Sequence, residues 1–110
     1  MRPLQESDVF HAIAHPARRA ILLRLKDGER AASELAAPFE MTFAAISQHL
    51  KMLEEADLVS VRRDGRQRFY QLEPKPLRGV VTWIDEFAGY FGERLDALGE
   101  HLDRKHGKRR

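Results

Sequence analysis

Thr42-Phe43-Ala44-Ala45-Ile46-Ser47-Gln48-His49-Leu50-Lys51-Met52-Leu53-Glu54-Glu55-Ala56 is the stretch on which the fold turns. It holds neither Gly nor Pro, and Thr42 carries an oxygen able to cap the first free N–H groups, so the pattern predicts a helix over 42–56. Ile46, Leu50 and Leu53 recur at four and three residues and stack on one face. The opposite face carries Ala44, Ser47, Gln48 and Lys51. Its N-terminal part is small and polar rather than densely charged, so another surface can approach it closely. Glutamine can make two hydrogen bonds to an adenine edge, serine can bond a base edge or a phosphate, and lysine neutralises phosphate. Taken alone, a helix of this length is more often a core helix with a solvated back.

The next stretch changes that balance. In Asp57-Leu58-Val59-Ser60-Val61-Arg62-Arg63-Asp64-Gly65-Arg66-Gln67-Arg68-Phe69-Tyr70-Gln71-Leu72, two strand-like runs flank Asp64-Gly65, a strong hairpin signal. Arg62, Arg63, Arg66 and Arg68 cluster at the tip against Asp64. A polar-faced helix followed by a hairpin with an arginine tip predicts a helix-turn-helix with a wing: the helix enters a major groove and the wing sits on the phosphate backbone.

The 110 residues suffice for one domain with a modest core. Hydrophobic content of 43% and charged content of 33% are those of a globular protein. No apolar run approaches the roughly 20 residues that span a bilayer, and there is no signal-peptide pattern; no membrane partner and a cytoplasmic location are expected. The absence of cysteine excludes disulfides, thiolate metal sites and cysteine nucleophiles. Net charge is only +2, so the argument for nucleic acid rests on where the arginines cluster, with a basic tail over 105–110 as a second patch.

In chain order, Ser7 is expected to cap a first helix reaching about Ala14, with Val9, Phe10 and Ile13 apolar. His15-Pro16 ends it, and Pro16 suits the first position of a second helix. Ala20, Ile21, Leu23 and Leu25 are placed inward in that helix, with Arg18, Arg19 and Arg24 outside. Asp27-Gly28 stops it, Glu29 to Ala32 holds at most one short strand, and Ser33 is expected to cap a third helix ended by Pro38. The helix-turn-helix spans 33–56 and the wing 58–72. After Pro74 and Pro76 a long helix is expected over 77–105. Ile84, Phe87, Phe91, Leu95, Leu98 and Leu102 form its apolar stripe, widened by Trp83, Tyr90 and Val80. Gly79, Gly89, Gly92 and Gly99 weaken it, and Gly89 and Gly92 are candidates for a bend or a close helix contact. The expected order is α1-α2-(β)-α3-α4-β-β-α5, mainly α with a small hairpin, in a single domain over 1–110 whose last residues are a flexible tail.

Three motifs resemble those of the ArsR-type winged-helix repressors. Ala14-His15-Pro16-Ala17-Arg18-Arg19-Ala20-Ile21-Leu22 resembles the family's opening signature, and Ile46 to Val59 its recognition helix. Arg62 to Arg66, with Tyr70-Gln71-Leu72, resembles its wing. The resemblance runs from about Asp8 to Leu72. It implies a homodimeric, sequence-specific DNA-binding repressor whose first and last helices form the dimer interface. Metal-sensing members carry cysteines after the Glu-Leu of the third helix; here Glu34-Leu35 is followed by Ala36 and Ala37, so that soft-ligand site is missing. Other members bind zinc through Asp and His of the last helix. His101 and His106 are five apart and share no helix face, so a solvated helix end is expected there and no metal.

The expected DNA contacts are Thr42, Phe43, Ala44, Ser47, Gln48, His49, Lys51, Arg62, Arg63, Arg66 and Arg68. Several carry a second reading. Thr42 is first of all a cap. Phe43 either closes the turn as a staple or touches a thymine methyl. His49 is a hydrogen-bonded structural histidine or a phosphate ligand, and Lys51 is a phosphate ligand or simply solvated. Phe10, Ile13 and the stripe from Trp83 to Leu102 are expected at the dimer interface, because so wide an apolar surface would be sticky on a monomer. No enzyme is expected: Ser47 and His49, two apart on a helix, cannot couple, and there is no Gly-rich phosphate loop. No residue pattern names a cofactor or an inducer. The rival reading is a protein-interaction module that uses the aromatic last helix without specific DNA binding. The expected partners remain double-stranded DNA and a second copy of the chain.

Overall fold

Thr42 begins the central helix. Its Oγ1 accepts the Ala45 N–H at 3.0 Å, and α4 runs Phe43–Glu55. The computed structural model describes residues 6–90, with side chains from Asp8 onward. Before α4 come α1 (Glu6–Ala12), α2 (Pro16–Arg24), a 3-10 turn at Leu25–Asp27, strand β1 (Arg30–Ala31) and α3 (Ala32–Ala36). After it come β2 (Val59–Asp64), β3 (Gln67–Leu72), a 3-10 turn at Lys75–Leu77 and α5 (Arg78–Asp85). This is a winged helix-turn-helix, helical with one small antiparallel sheet, in the expected order of elements. The chain divides into two compact units, Met1–Val80 and Val81–Arg110.

The core of the first unit is built where the spacing puts it. Ile46, Leu50 and Leu53 of α4 are buried against Ile21, Leu22 and Leu25, Leu35 of α3, Val9 and Ala12 of α1, and Leu58, Val59 and Tyr70 of the wing. Burying apolar side chains of this size stabilises by about 1.5–3 kcal/mol each relative to leaving them in water.

Several local expectations need correction. Ser7 lies inside α1 instead of capping it, and α1 closes at Ala12 rather than Ala14. Arg18 is buried and Leu23 is exposed, the reverse of the expected faces. The reason is periodic: Arg18 stands three and four residues before Ile21 and Leu22 and shares their side, whereas Leu23 is two beyond Ile21 and turns away. Ser33 does not cap α3; Ala31 stands at the cap position. Its N–H donates to Glu34 Oε1 at 2.8 Å, the backward half of a capping box, whose forward half an alanine side chain cannot supply. In the hairpin, Asp64 pairs with Gln67, so the turn is Gly65-Arg66 and not Asp64-Gly65. Gly65 takes φ 64°, the left-handed backbone that a two-residue turn with glycine first requires.

The last helix is not continuous. α5 stops at Asp85 and Glu86–Phe87 is a turn before helical residues resume at Ala88. The N–H groups of Glu86 and Phe87 reach Trp83 and Ile84, three residues back, as in a tightened helix end. The break comes before Gly89 and Gly92, the expected bend. Phe91, Leu95, Leu98, Leu102 and the basic tail lie outside the described residues.

The join between α4 and the wing has a conformation of its own. Asp57 adopts φ 58°, the left-handed region. The Leu58 N–H donates to the Leu53 carbonyl at 3.0 Å and the Asp57 N–H to the Glu54 carbonyl at 3.0 Å. This pairing closes a helix with a left-handed residue and drives Leu58 into the core. Aspartate tolerates the geometry because its short polar side chain bonds locally; a β-branched residue does not. Asp57→Val is therefore expected to lower stability by about 1–2 kcal/mol, whereas Asp57→Gly does not. Urea midpoints of the two variants check this, and equal midpoints would remove the backbone explanation.

β2 and β3 form the wing. β1 pairs with the other edge of β3, giving the order β1-β3-β2, with Arg30 opposite Tyr70 and Ala31 opposite Phe69. The wing is thereby tied to the segment that leads into α3. Strand alternation sends Val59, Val61, Arg63, Arg68, Tyr70 and Leu72 to one face and Ser60, Arg62, Phe69 and Gln71 to the other.

Candidate nucleic-acid interface

Burying Ile46, Leu50 and Leu53 leaves a definite set of α4 residues outside. Thr42, Phe43, Ala44, Gln48 and Lys51 are exposed and Ser47 is half-buried. Phe43 is 61% exposed, so it does not close the turn as a staple. Beside it opens a cleft of about 390 Å³ lined by Ala31, Ala32, Ser33, Phe43, Arg66, Gln67 and Arg68. The first turn of α4 and the tip of the wing thus face one space.

The four wing arginines do not act as one group. Arg62 lies on the sheet face away from the core. Its Nε donates to Glu29 Oε2 at 3.1 Å and its Nη2 to Glu29 Oε1 at 2.8 Å, a two-pronged ion pair. Its guanidinium also stacks 4.6 Å from the centre of the Phe69 ring and stands 3.9 Å from Asp64. The hydrogen bonds from Arg62 hold the Glu29 carboxyl below its ordinary range, and Glu29 raises Arg62 in return. Among the described residues no carboxylate pairs with Arg63, Arg66 or Arg68. Those three cations are the ones left for an outside anion. Alternation places Arg62 on the sheet face of Phe69, but no local signal pairs it with Glu29.

His49 occupies the seam between α4 and the helices before it. Its Nδ1 lies 3.4 Å from Arg18 Nη1, and its ring centre lies 4.5 Å from that of His15, tilted by 56°. Burial holds its pKa below the usual 6.5, helped by the electrostatic effect of His15 and of the Arg18 guanidinium on a proton added there. The ring is thus engaged within the fold as a neutral acceptor. His15 Nδ1 in turn accepts the Ala17 N–H at 3.1 Å and caps α2, with Pro16 at the first helical position. The lowered pKa of His49 gives stability a definite pH dependence. The unfolded chain takes up a proton at His49 near pH 6.5, while the folded chain takes it up only at lower pH. Stability is therefore constant well above 6.5 and falls as pH drops from 6.5 through the lowered folded value. Urea midpoints measured from about pH 8 to 5 are expected to fall over that window, with a shallower slope in His49→Gln. A slope unchanged by the substitution would assign the effect to another group.

Arg18, expected on the surface, belongs instead to the scaffold of this site. It is 8% exposed. Its Nε donates to the Ala12 carbonyl at 2.7 Å and its Nη2 to the His11 carbonyl at 3.3 Å. Arg19 Nη1 donates to the Ile13 carbonyl at 2.8 Å. The last carbonyls of a helix have no partner inside it, and these two arginines of α2 satisfy those at the end of α1. Arg18 then reaches His49, so one side chain joins α1, α2 and the candidate recognition helix. The signal that could have found it is its place on the Ile21–Leu22 side of α2.

Ala36 and Ala37, at the end of α3, offer no side-chain donor to a metal. Among the described residues there is no group of three His, Cys, Asp or Glu able to hold a metal ion, and no helix long and apolar enough to cross a membrane. His101 and His106, with Asp96, Glu100 and Asp103, lie outside the described residues.

Comparison with known proteins agrees with this geometry. A helix-turn-helix domain family matches residues 13–62. The HTH-type transcriptional regulator Rv2034 of Mycobacterium tuberculosis is 44% identical over 96 residues, covering 83% of this chain and 89% of that protein. The transcriptional repressor SdpR of Bacillus subtilis is 36% identical over 81 residues, covering 74% of this chain and 90% of that protein. The crystal structure of the ArsR family transcriptional regulator RHA00566 matches with a TM-score of 0.70 at 36% identity, covering 73% of this chain and 82% of that one. Motifs, topology and relatives agree: the chain belongs to the ArsR/SmtB family of winged helix-turn-helix transcriptional regulators.

Proposed function

We propose that this chain is a cytoplasmic homodimeric repressor that binds a palindromic operator, with α4 in the major groove and the wing on the phosphate backbone. The observation that carries the proposal is the shared space between the exposed first turn of α4 and the wing tip, where Arg66 and Arg68 pair with no carboxylate among the described residues. Small polar residues on a groove-facing helix read base edges, and unpaired arginines beside them neutralise phosphate. Ser47 and Gln48 read, while Arg63, Arg66, Arg68 and Lys51 position. Relatives named as repressors support the direction of regulation. A second copy is needed because one helix reads few base pairs, and two related by a dyad read half-sites one helical turn apart. Val81, Trp83, Ile84, Phe87 and Tyr90, all exposed and apolar, supply the surface such a partner buries. No catalytic role is included.

Selection from a random duplex pool with the full-length protein tests this reading. It is expected to enrich a palindrome with half-sites about 10 bp apart. Ser47→Ala or Gln48→Ala is expected to lower discrimination against random DNA by about 1–3 kcal/mol. Ile84→Asp is expected to weaken the dimer in sedimentation and operator binding together. A pool that shows no enrichment sinks the DNA reading. A wild-type chain that sediments as a monomer yet binds the palindrome tightly sinks the dimer.

A further inference from the structure

We infer that Phe43 reads the C5-methyl group of a thymine, so that the protein demands thymine at one position of each half-site. The inference rests on the DNA reading above and adds which base is read and by which side chain. Phe43 opens α4 and stands 61% exposed between two exposed small residues, Thr42 and Ala44. A ring left in water at that place is unfavourable for the protein alone, since burying an aromatic of this size is among the larger apolar gains available. The described residues leave more than half of it uncovered.

Recognition helices enter the major groove N-terminal end first, so a first-turn side chain meets base edges. Nearly every feature of those edges is a hydrogen-bond donor or acceptor; the thymine methyl is the apolar exception. Phenylalanine has no polar atom with which to bond the others. The adjoining cleft is lined as well by Arg66 and Arg68, cations suited to the phosphate strand that runs past the base being read. Ala44, next along the helix, adds no bulk that would hold the ring away from the groove.

The test uses the duplex enriched by the wild-type full-length protein. Each thymine is replaced in turn by deoxyuridine, which removes only the C5-methyl. At one symmetric pair of positions the replacement is expected to weaken wild-type binding about fourfold per methyl, the value of one methyl-sized group buried. Phe43→Ala is expected to bind the thymine duplex more weakly and to lose that sensitivity, with wing-dependent salt sensitivity retained. Phe43→Leu, still apolar, is expected to keep part of the preference. Since the ring is exposed, both variants should match the wild-type urea midpoint. If the pool enriches but uracil is tolerated at every position, or if Phe43→Ala keeps the wild-type sensitivity, the inference is overturned while the DNA reading stands. If nothing enriches, both fall.

Discussion

Replacing Arg63, Arg66 and Arg68 together by alanine, three in each protomer of the dimer, is expected to weaken DNA binding by on the order of 10,000-fold near physiological salt, on operator and random duplex alike. Each phosphate neutralised by a protein cation releases condensed counterions, and the affinity falls with salt in proportion to the number of such pairs. The dimer loses six cations, three from each protomer, which should flatten the slope of log affinity against log salt by about 5. Fold stability should not move, because none of the three is buried or ion-paired among the described residues. Arg62→Ala is the internal control. Arg62 is held by Glu29 and by the Phe69 ring, so its loss should flatten the slope less than loss of Arg63 alone. Mobility shifts from about 50 to 300 mM salt measure all of this. A triple variant with an unchanged slope would place the phosphate-binding cations elsewhere. An Arg62 effect as large as that of Arg63 would mean that the Glu29 pair opens when DNA binds.

The largest loss of stability is expected from Arg18→Met. The guanidinium is buried and bonded to two carbonyls at the end of α1 and to His49. Methionine fills much of the same volume but leaves the Ala12 carbonyl, in a residue 1% exposed, without its donor. Hydrogen bonds from a charged group, together with the cost of an unpaired buried acceptor, come to about 2–4 kcal/mol. For a domain near this size that is a fall in melting temperature of roughly 10–20 °C. Arg18→Lys should recover part of it, because an ammonium can donate to one carbonyl but cannot fork to reach the second and His49 as well. DNA affinity of the folded fraction should also fall, since His49 loses the neighbour that sets α4 against α1 and α2. Calorimetry and a mobility shift at a temperature where the variant is folded separate the two effects. A variant within about 0.5 kcal/mol of wild type would mean that the site is wet, as at an ordinary surface position.

The sequence by itself determined the elements whose signals are local and strong. Thr42 with Ile46, Leu50 and Leu53 set both the start and the buried face of α4, because a cap and a 3.6-residue period need no distant partner. Pro16 marked the first turn of α2, Gly28 the end of the turn after it, and the two β-rich runs around Gly65 a hairpin, each through a backbone preference of one residue. The same residues, read with the motifs they belong to, identified the family. What only the tertiary structure decided are the partners that chain-distant residues find. Arg62 meets Glu29 because β1 pairs with β3 and brings residue 29 beside the wing, an alignment no local period encodes. Arg18 goes inside because α1 ends with carbonyls that lack partners and α4 presents His49 beside them. Asp57 turns left-handed to send Leu58 into the core, a demand of packing rather than of aspartate. Charge and polarity state what a side chain can bond; which of those bonds forms depends on the three-dimensional neighbours. That is why the reading helix was legible in the chain, while the division of the arginines between scaffold and surface was not.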